Sequence, residues 1–270
     1  MAQIPFIKMV ASGNDFVVVD NRKKVISDLL SFTKKVCKPH VGVGADGVLL
    51  FENSRKGAFK MRIMNSDGSE AEACGNGYRC VGLYAHEILK FSKSMRVETL
   101  SGEVEIHVNH GTVKVKMTDP SGYREKVKLK GVGSGSRALE LAFVNTGVPH
   151  AVLFSEDIEK IDVEKLGRVI RYHSEFAPRG TNVNFAEVTG RKSLSIRTYE
   201  RGVEAETLAC GTGSVAAAVI ASLTDRVETP VSVKTKSGEI LKIDFKRSGN
   251  KIRNVFLEGT ANFVFEGRIK

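Results

Sequence analysis

The sequence predicts an α+β protein made of two pseudo-symmetric duplicated domains, each an antiparallel β-sheet wrapped around a central α-helix. Three observations carry that prediction. Ala73-Cys74-Gly75-Asn76-Gly77 is echoed 136 positions later by Ala209-Cys210-Gly211-Thr212-Gly213, and each stretch stands directly ahead of an apolar, helix-length run. Other landmarks recur in the same order at nearly the same offset. Val43-Gly44-Ala45-Asp46-Gly47 answers to Arg179-Gly180-Thr181-Asn182-Val183, and residues 97–104 answer to 233–240. Around the two helical runs, apolar residues alternate with polar ones as in half-buried strands. Isolated helices among alternating strands favour sheet packed on helix within each half.

The elements follow in order, and each half reads alike. An opening strand is expected at 6–20 and at 139–154, carrying Ser12-Gly13-Asn14-Asp15-Phe16 and its looser match Thr146-Gly147-Val148-Pro149-His150. A helix follows near 27–36 and near 163–172. Short strands come next, at 48–52 and 59–65 and again at 184–188 and 194–200. The first central helix spaces Val81, Tyr84, Ala85, Ile88 and Leu89 at helical intervals, and the second so spaces Ala216, Val219, Ile220 and Leu223. Strands close each half through Val104, Ile106, Val108, Val113, Val115 and Met117, then through Leu241, Ile243, Phe245, Val255 and Leu257. Asp119-Pro120-Ser121-Gly122 and the glycine-serine stretch 131–136 read as the loops of the junction. The expected domains are 1–119 and 120–260. The last strand, 261–270, has no counterpart inside the repeat and is expected to join the first domain.

Composition narrows the function. Lysine plus arginine exceeds aspartate plus glutamate, 41 against 31, giving a formal charge of +10. A basic balance suits nucleic acid or an anionic substrate. The lysines are dispersed, as in Val113-Lys114-Val115-Lys116-Met117, and tryptophan is absent, so a solvated basic surface is expected and no nucleic-acid partner. No apolar run reaches membrane-spanning length, and Met1-Ala2-Gln3-Ile4-Pro5-Phe6 lacks the order of a signal peptide. Four cysteines in 270 residues are not a disulfide scaffold. A cytoplasmic protein with no membrane partner is expected.

The chemistry is expected at the two cysteine corners. A helix N-terminus offers unpaired N–H groups and partial positive charge, which favours a thiolate and binds an anion. The adjacent glycines let that anion approach the backbone. Two such corners could set Cys74 and Cys210 on opposite sides of one substrate. Cys37 and Cys80 lack chemical company and read as small core side chains. No cysteine spacing suggests zinc, so no metal is expected. Gly42-Val43-Gly44-Ala45-Asp46-Gly47 matches the dinucleotide fingerprint in letters, but the strand-like Val48-Leu49-Leu50-Phe51 follows where a helix is required. A glycine-rich turn is the better reading. Asn14, Asn65 and Asn182 lie at strand ends, where asparagine is also an ordinary turn residue. Arg201, after Glu200 and before Gly202, suits a carboxylate or plain surface, and a lone histidine such as His150 is usually structural.

Together these residues resemble the diaminopimelate epimerase family. The marks are Gly13-Asn14-Asp15-Phe16, Gly44-Ala45-Asp46-Gly47, Asn65-Ser66-Asp67-Gly68-Ser69-Glu70, Cys74-Gly75-Asn76-Gly77 with Arg79-Cys80, Pro149-His150, Arg179-Gly180-Thr181-Asn182, and Tyr199-Glu200-Arg201-Gly202 with Cys210-Gly211-Thr212-Gly213. Proline racemases and hydroxyproline epimerases look similar in fold and cysteine pair, but the contexts of Asn65 and Glu200-Arg201 favour the diaminopimelate branch. The resemblance implies a small-molecule substrate, diaminopimelate, and epimerisation without a cofactor, in lysine and peptidoglycan-precursor biosynthesis. It implies Cys74 and Cys210 as the two bases in a cleft between the halves. Gly75, Asn76, Gly211 and Thr212 would bind the reacting carboxylate through backbone N–H groups. Asn65, Asn182 and Arg201 would hold the distal carboxylate, Glu200 and Asn14 would place the amino groups, and His150 and Glu200 would stand beside the thiols. Two positions depart from the pattern. Val148 stands where the family often has asparagine, which leaves Asn145 as the candidate to replace that contact, and Gly47 stands where some members carry glutamine. Whether the chain forms a homodimer stays open.

Overall fold

The structure is a computed structural model that describes residues 3–132 and 138–270. The chain divides into two compact units, one of residues 1–116 with 258–270 and the other of residues 117–257.

Unit 1 begins with β1 (Ile4–Ala11) and β2 (Asn14–Asp20), an antiparallel hairpin rather than one long strand. The chain reverses at Ser12 and Gly13, with φ of 55° and 79°, the left-handed region that a strand excludes. Next come α1 (Leu29–Cys37), β3 (Gly47–Glu52), β4 (Phe59–Asn65), β5 (Glu70–Ala71), α2 (Gly75–Glu87), β6 (Ser94–Thr99), β7 (Gly102–Asn109) and β8 (Thr112–Lys116). The sheet is mixed: β2–β3 and β4–β6 run parallel, while β3–β4, β6–β7 and β7–β8 are antiparallel. The parallel pairs arise where the chain crosses over through a helix, α1 in one case and α2 in the other.

Helices on both faces explain why Val48-Leu49-Leu50-Phe51 reads as a continuous apolar run. Alternate residues point to opposite faces of a strand. Val48 and Leu50 pack with Val36 and Cys37 of α1, whereas Leu49 lies under Gly77 of α2 and Phe51 meets the Tyr84 ring edge-on. Each such buried side chain is worth about 1.5–3 kcal/mol of transfer free energy.

Unit 2 repeats the plan. It contains β9 (Ser121–Leu129), β10 (Leu139–Asn145), β11 (Pro149–Phe154), α3 (Val163–Arg171), β12 (Asn182–Gly190), β13 (Ser193–Glu200), β14 (Ala205–Thr207), α4 (Gly211–Leu223), β15 (Val231–Lys234), β16 (Ile240–Ser248) and β17 (Lys251–Thr260), whose last three residues belong with unit 1. Parallel pairs again flank the crossovers, β11–β12 through α3 and β13–β15 through α4. Leu141, Val163, Ile170, Val183, Phe185 and Tyr199 form the core on the α3 side. Ala186, Ile196 and the body of α4 form the other. From Gly213 to Leu223 every α4 residue is buried, and the run of small side chains at Ala216, Ala217, Ala218 and Ala221 lets strands close in all round.

Ser121 starts β9, which pairs with β10, so the expected loop at 119–122 ends where a strand begins. Of the expected junction at 131–136, residues 133–136 lie outside the described residues. The final strand, β18 (Asn262–Ile269), pairs antiparallel with β1. It thereby takes, in unit 1, the place that β9 takes beside β10 in unit 2. Among the described residues, no helix is long and apolar enough to cross a membrane.

Candidate active site

Cys74 caps α2. Its sulfur accepts the Gly77 N–H at 3.4 Å, and its thiol donates to Asn14 Oδ1 at 3.8 Å. A cap leaves the first-turn N–H groups of Gly75 and Asn76 outside the helical ladder, so they point out of the helix end with its positive partial charge. Asn76 is itself buried. Asn14 is held in turn by Asp46, whose Oδ2 accepts the Asn14 amide at 2.5 Å and the Asp15 N–H at 3.1 Å. Asp15 accepts the Asp46 N–H at 3.0 Å and pairs with Lys8 at 2.6 Å. Asn65, at the exposed end of β4, donates to Ser69 Oγ at 3.0 Å. Arg79 is wholly buried, with Nε donating to the Thr260 carbonyl at 3.0 Å and a second nitrogen to Ser12 Oγ.

Unit 2 builds the matching corner. Cys210 caps α4, and its sulfur lies 3.5 Å from the Thr212 hydroxyl. Thr146, in the hairpin turn between β10 and β11, donates to the Thr212 carbonyl at 3.1 Å and ties that turn to the helix start. Asn182 is buried at the head of β12, with its amide donating to the Pro149 carbonyl at 3.0 Å and its oxygen accepting the Arg201 N–H at 2.8 Å. Glu200 ends β13. Burial pushes its carboxyl up, and the Thr207 hydroxyl works against that shift. His150 is wholly buried, and burial together with the Arg201 charge lowers its pKa to about 3. The ring is neutral at any physiological pH.

The strand ahead of each corner is braced alike. Arg62 grips Glu70 through two bonds, of 2.8 and 2.7 Å, and Arg197 grips Glu206 through two, of 2.7 and 2.8 Å. Forked pairs of this kind fix direction as well as charge. Cys37 and Cys80 lie in the core, and burial pushes the Cys37 thiol up to about 11.

The two departures have physical consequences. Asn145 Oδ1 accepts the Gly147 N–H at 2.9 Å, so that oxygen serves the hairpin turn. At Gly47 a side chain would strike the Met64 carbonyl oxygen at 2.6 Å, which bars glutamine from that place without a backbone shift. Sequence reasoning missed three polar residues here. Asp46 was visible in the stretch Gly44-Ala45-Asp46-Gly47. Asn184 and Thr198 were signalled only as polar interruptions of apolar strands. Among the described residues, no three His, Cys, Asp or Glu side chains cluster as metal ligands.

The family model described as Diaminopimelate epimerase matches residues 6–122 and 142–264. The chain is 46% identical to a diaminopimelate epimerase of Aquifex aeolicus over 277 residues, covering 98% of this chain and 97% of that one. It is 42% identical to a diaminopimelate epimerase of Archaeoglobus fulgidus over 280 residues, with 99% and 97% covered. Among solved structures, a Bacillus anthracis phenazine biosynthesis protein of the PhzF family superposes with a TM-score of 0.76 over the whole of both chains at 16% identity. That likeness speaks to the fold alone.

Proposed function

This chain belongs to the diaminopimelate epimerase family, and on that premise we propose that it interconverts LL- and meso-2,6-diaminopimelate by moving one α-proton between two cysteines without a cofactor. The observation that carries the reading is the placement of Cys74 and Cys210 at the N-caps of α2 and α4, the equivalent helices of the two repeats.

The α-proton of an amino acid is a very weak acid, so the developing enediolate needs strong stabilisation. Directed N–H groups supply it without reorganising during the reaction. Gly75, Asn76, Gly211 and Thr212 fill that role at the two helix ends. One cysteine, as thiolate, takes the α-proton and becomes a thiol. The opposite thiol returns a proton to the other face of the carbon and becomes a thiolate. The centre is inverted, no proton is gained or lost, and the cysteines have exchanged states. Their titration therefore belongs to the pair. Asn65, Asn182 and Arg201 hold the distal carboxylate, Glu200 and Asn14 place the amino groups, and His150 stands with Glu200 beside the thiols. The activity serves lysine and peptidoglycan-precursor biosynthesis in the cytoplasm.

Cys74→Ala and Cys210→Ala test the two-base step. Each variant is expected to lose epimerisation while keeping its fold by circular dichroism. Normal turnover in either one contradicts the proposal.

A further inference from the structure

We infer that Asn184, gripped by Thr198, is a positioning residue that locks the His150 ring with its proton on Nε2, so that His150 serves as a neutral hydrogen-bond donor and not as a base. The inference rests on the proposed activity only for its kinetic test.

Three contacts fix the geometry. The Asn184 side-chain nitrogen donates to the Ala151 carbonyl at 3.1 Å, and its oxygen accepts the Thr198 hydroxyl at 3.0 Å. A carbonyl oxygen can only accept, so the amide cannot be turned the other way. The same nitrogen lies 3.1 Å from His150 Nδ1. An amide NH₂ can only donate, so Nδ1 must accept and is bare. The proton of the neutral ring then sits on Nε2. Protonating Nδ1 would set N–H against N–H. Asn184, Thr198 and His150 are all buried, and Nε2 has no hydrogen-bond partner among the described residues. That N–H is a buried donor that the fold itself leaves unsatisfied.

Unit 1 supplies the control. Val152 pairs with Asn184 across β11–β12, and Asn184 pairs with Thr198 across β12–β13. In the same places Val18 pairs with Leu49 across β2–β3, and Leu49 pairs with Ile63 across β3–β4. Two residues before Val152 and Val18 stand His150 and Phe16. The polar trio His150, Asn184 and Thr198 thus replaces an apolar trio of Phe16, Leu49 and Ile63. The stacking under the helix is preserved too, with Leu49 beneath Gly77 and Asn184 beneath Gly213. Unit 1 closes this layer with hydrocarbon, and exchanging buried hydrogen-bonded partners together for apolar side chains of like shape is close to neutral for stability. Fold stability therefore does not call for the trio. Its consequence is the fixed ring, one side chain away from the first turn of the Cys210 helix.

The test has two arms. In full-length protein carrying histidine labelled with the heavy nitrogen isotope, long-range proton–nitrogen NMR separates a protonated ring nitrogen from a bare one, and His150→Gln assigns the signal. His150 is expected to show a protonated Nε2 and a bare Nδ1; a protonated Nδ1 overturns the inference. In the second arm, Asn184→Leu installs the residue that unit 1 uses. It is expected to fold, to lose the single-tautomer signature, and to lower kcat for diaminopimelate epimerisation on the order of 10- to 100-fold with little change in KM, as displaced catalytic groups do. A folded Asn184→Leu enzyme with wild-type kcat overturns the inference. Should that variant not fold, Thr198→Val removes only the grip on Asn184, and the same loss of tautomer and kcat is expected. If wild-type protein shows the Nε2 tautomer but does not epimerise diaminopimelate, the proposed function fails and the tautomer assignment stands on the first arm.

Discussion

Gly213 lies flush against Asn184: a Cβ on the glycine would overlap the asparagine side-chain oxygen. A Cβ on its repeat partner Gly77 would meet softer neighbours, the tip of Met61 at 3.0 Å and of Leu49 at 3.2 Å. The same substitution should therefore part company in the two units. Gly77→Ala gains up to about 1 kcal/mol of helix propensity against a small repacking cost, and is expected to unfold within about 1 kcal/mol of wild type. Gly213→Ala forces a rigid, hydrogen-bonded amide aside and is expected to lose about 1–3 kcal/mol. Urea midpoints for the two variants check this. Equal losses would mean that Asn184 yields as easily as Met61.

The cysteines should differ in reactivity. Only a thiolate is alkylated readily, and burial suppresses both ionisation and access. Cys37 is 3% exposed with its thiol pushed up to about 11, and Cys80 is 0% exposed, whereas Cys74 is partly open at its helix end. Iodoacetamide at neutral pH is expected to label Cys74 ahead of Cys37 and Cys80, read by peptide mass. Early labelling of Cys37 would contradict the burial argument.

His150 makes stability depend on pH with a definite sign. Its ordinary value of 6.5 falls to about 3 in the fold. Between those values the unfolded chain binds a proton that the folded chain refuses. Its stabilising contribution is thus complete above pH 6.5 and is lost as pH falls towards 3, at up to about 1.4 kcal/mol per pH unit. Carboxylates held low by arginines, such as Glu70 and Glu206, lose stability in the same direction. The difference between wild type and His150→Gln isolates the histidine, and the variant is expected to show the shallower slope.

Glu200 has the opposite linkage. Burial raises its carboxyl, so its charged form opposes folding, and stability falls as pH rises through that raised pKa. Glu200→Gln is expected to be more stable than wild type at neutral pH, yet slower in epimerisation on the order of 100-fold, as when a group that orients the substrate is lost. Thermal unfolding and an epimerisation assay measure both. A variant that is neither more stable nor slower would contradict the role given to this carboxylate.

Much of the architecture was legible because it is local. The cysteine corners stand ahead of apolar helical spacing, and those helices are α2 and α4. Val48-Leu49-Leu50-Phe51 could be read as a strand because continuous apolar character marks burial on both faces. The hairpin at Ser12-Gly13 was hidden by apolar residues on both sides of it, which made one strand of two. β9 was hidden because Asp119-Pro120-Ser121-Gly122 carries strong turn chemistry, and only Val127 and Leu129 of the strand are buried. The parallel pairs join segments remote in sequence, so no local pattern announces them. Asp46, Asn184 and Thr198 were missed for a related reason. Each is one polar residue whose meaning lies in partners 14 to 34 positions away. The repeat reveals what propensity does not, by setting Asn184 against Leu49.

The most direct test of the central claim is proton NMR of the reduced protein with LL-diaminopimelate in heavy water and no added cofactor. Loss of the α-proton signal is expected as solvent deuterium enters, with the meso isomer appearing alongside. Retention of the α-proton, or exchange with proline or hydroxyproline but none with diaminopimelate, would contradict it.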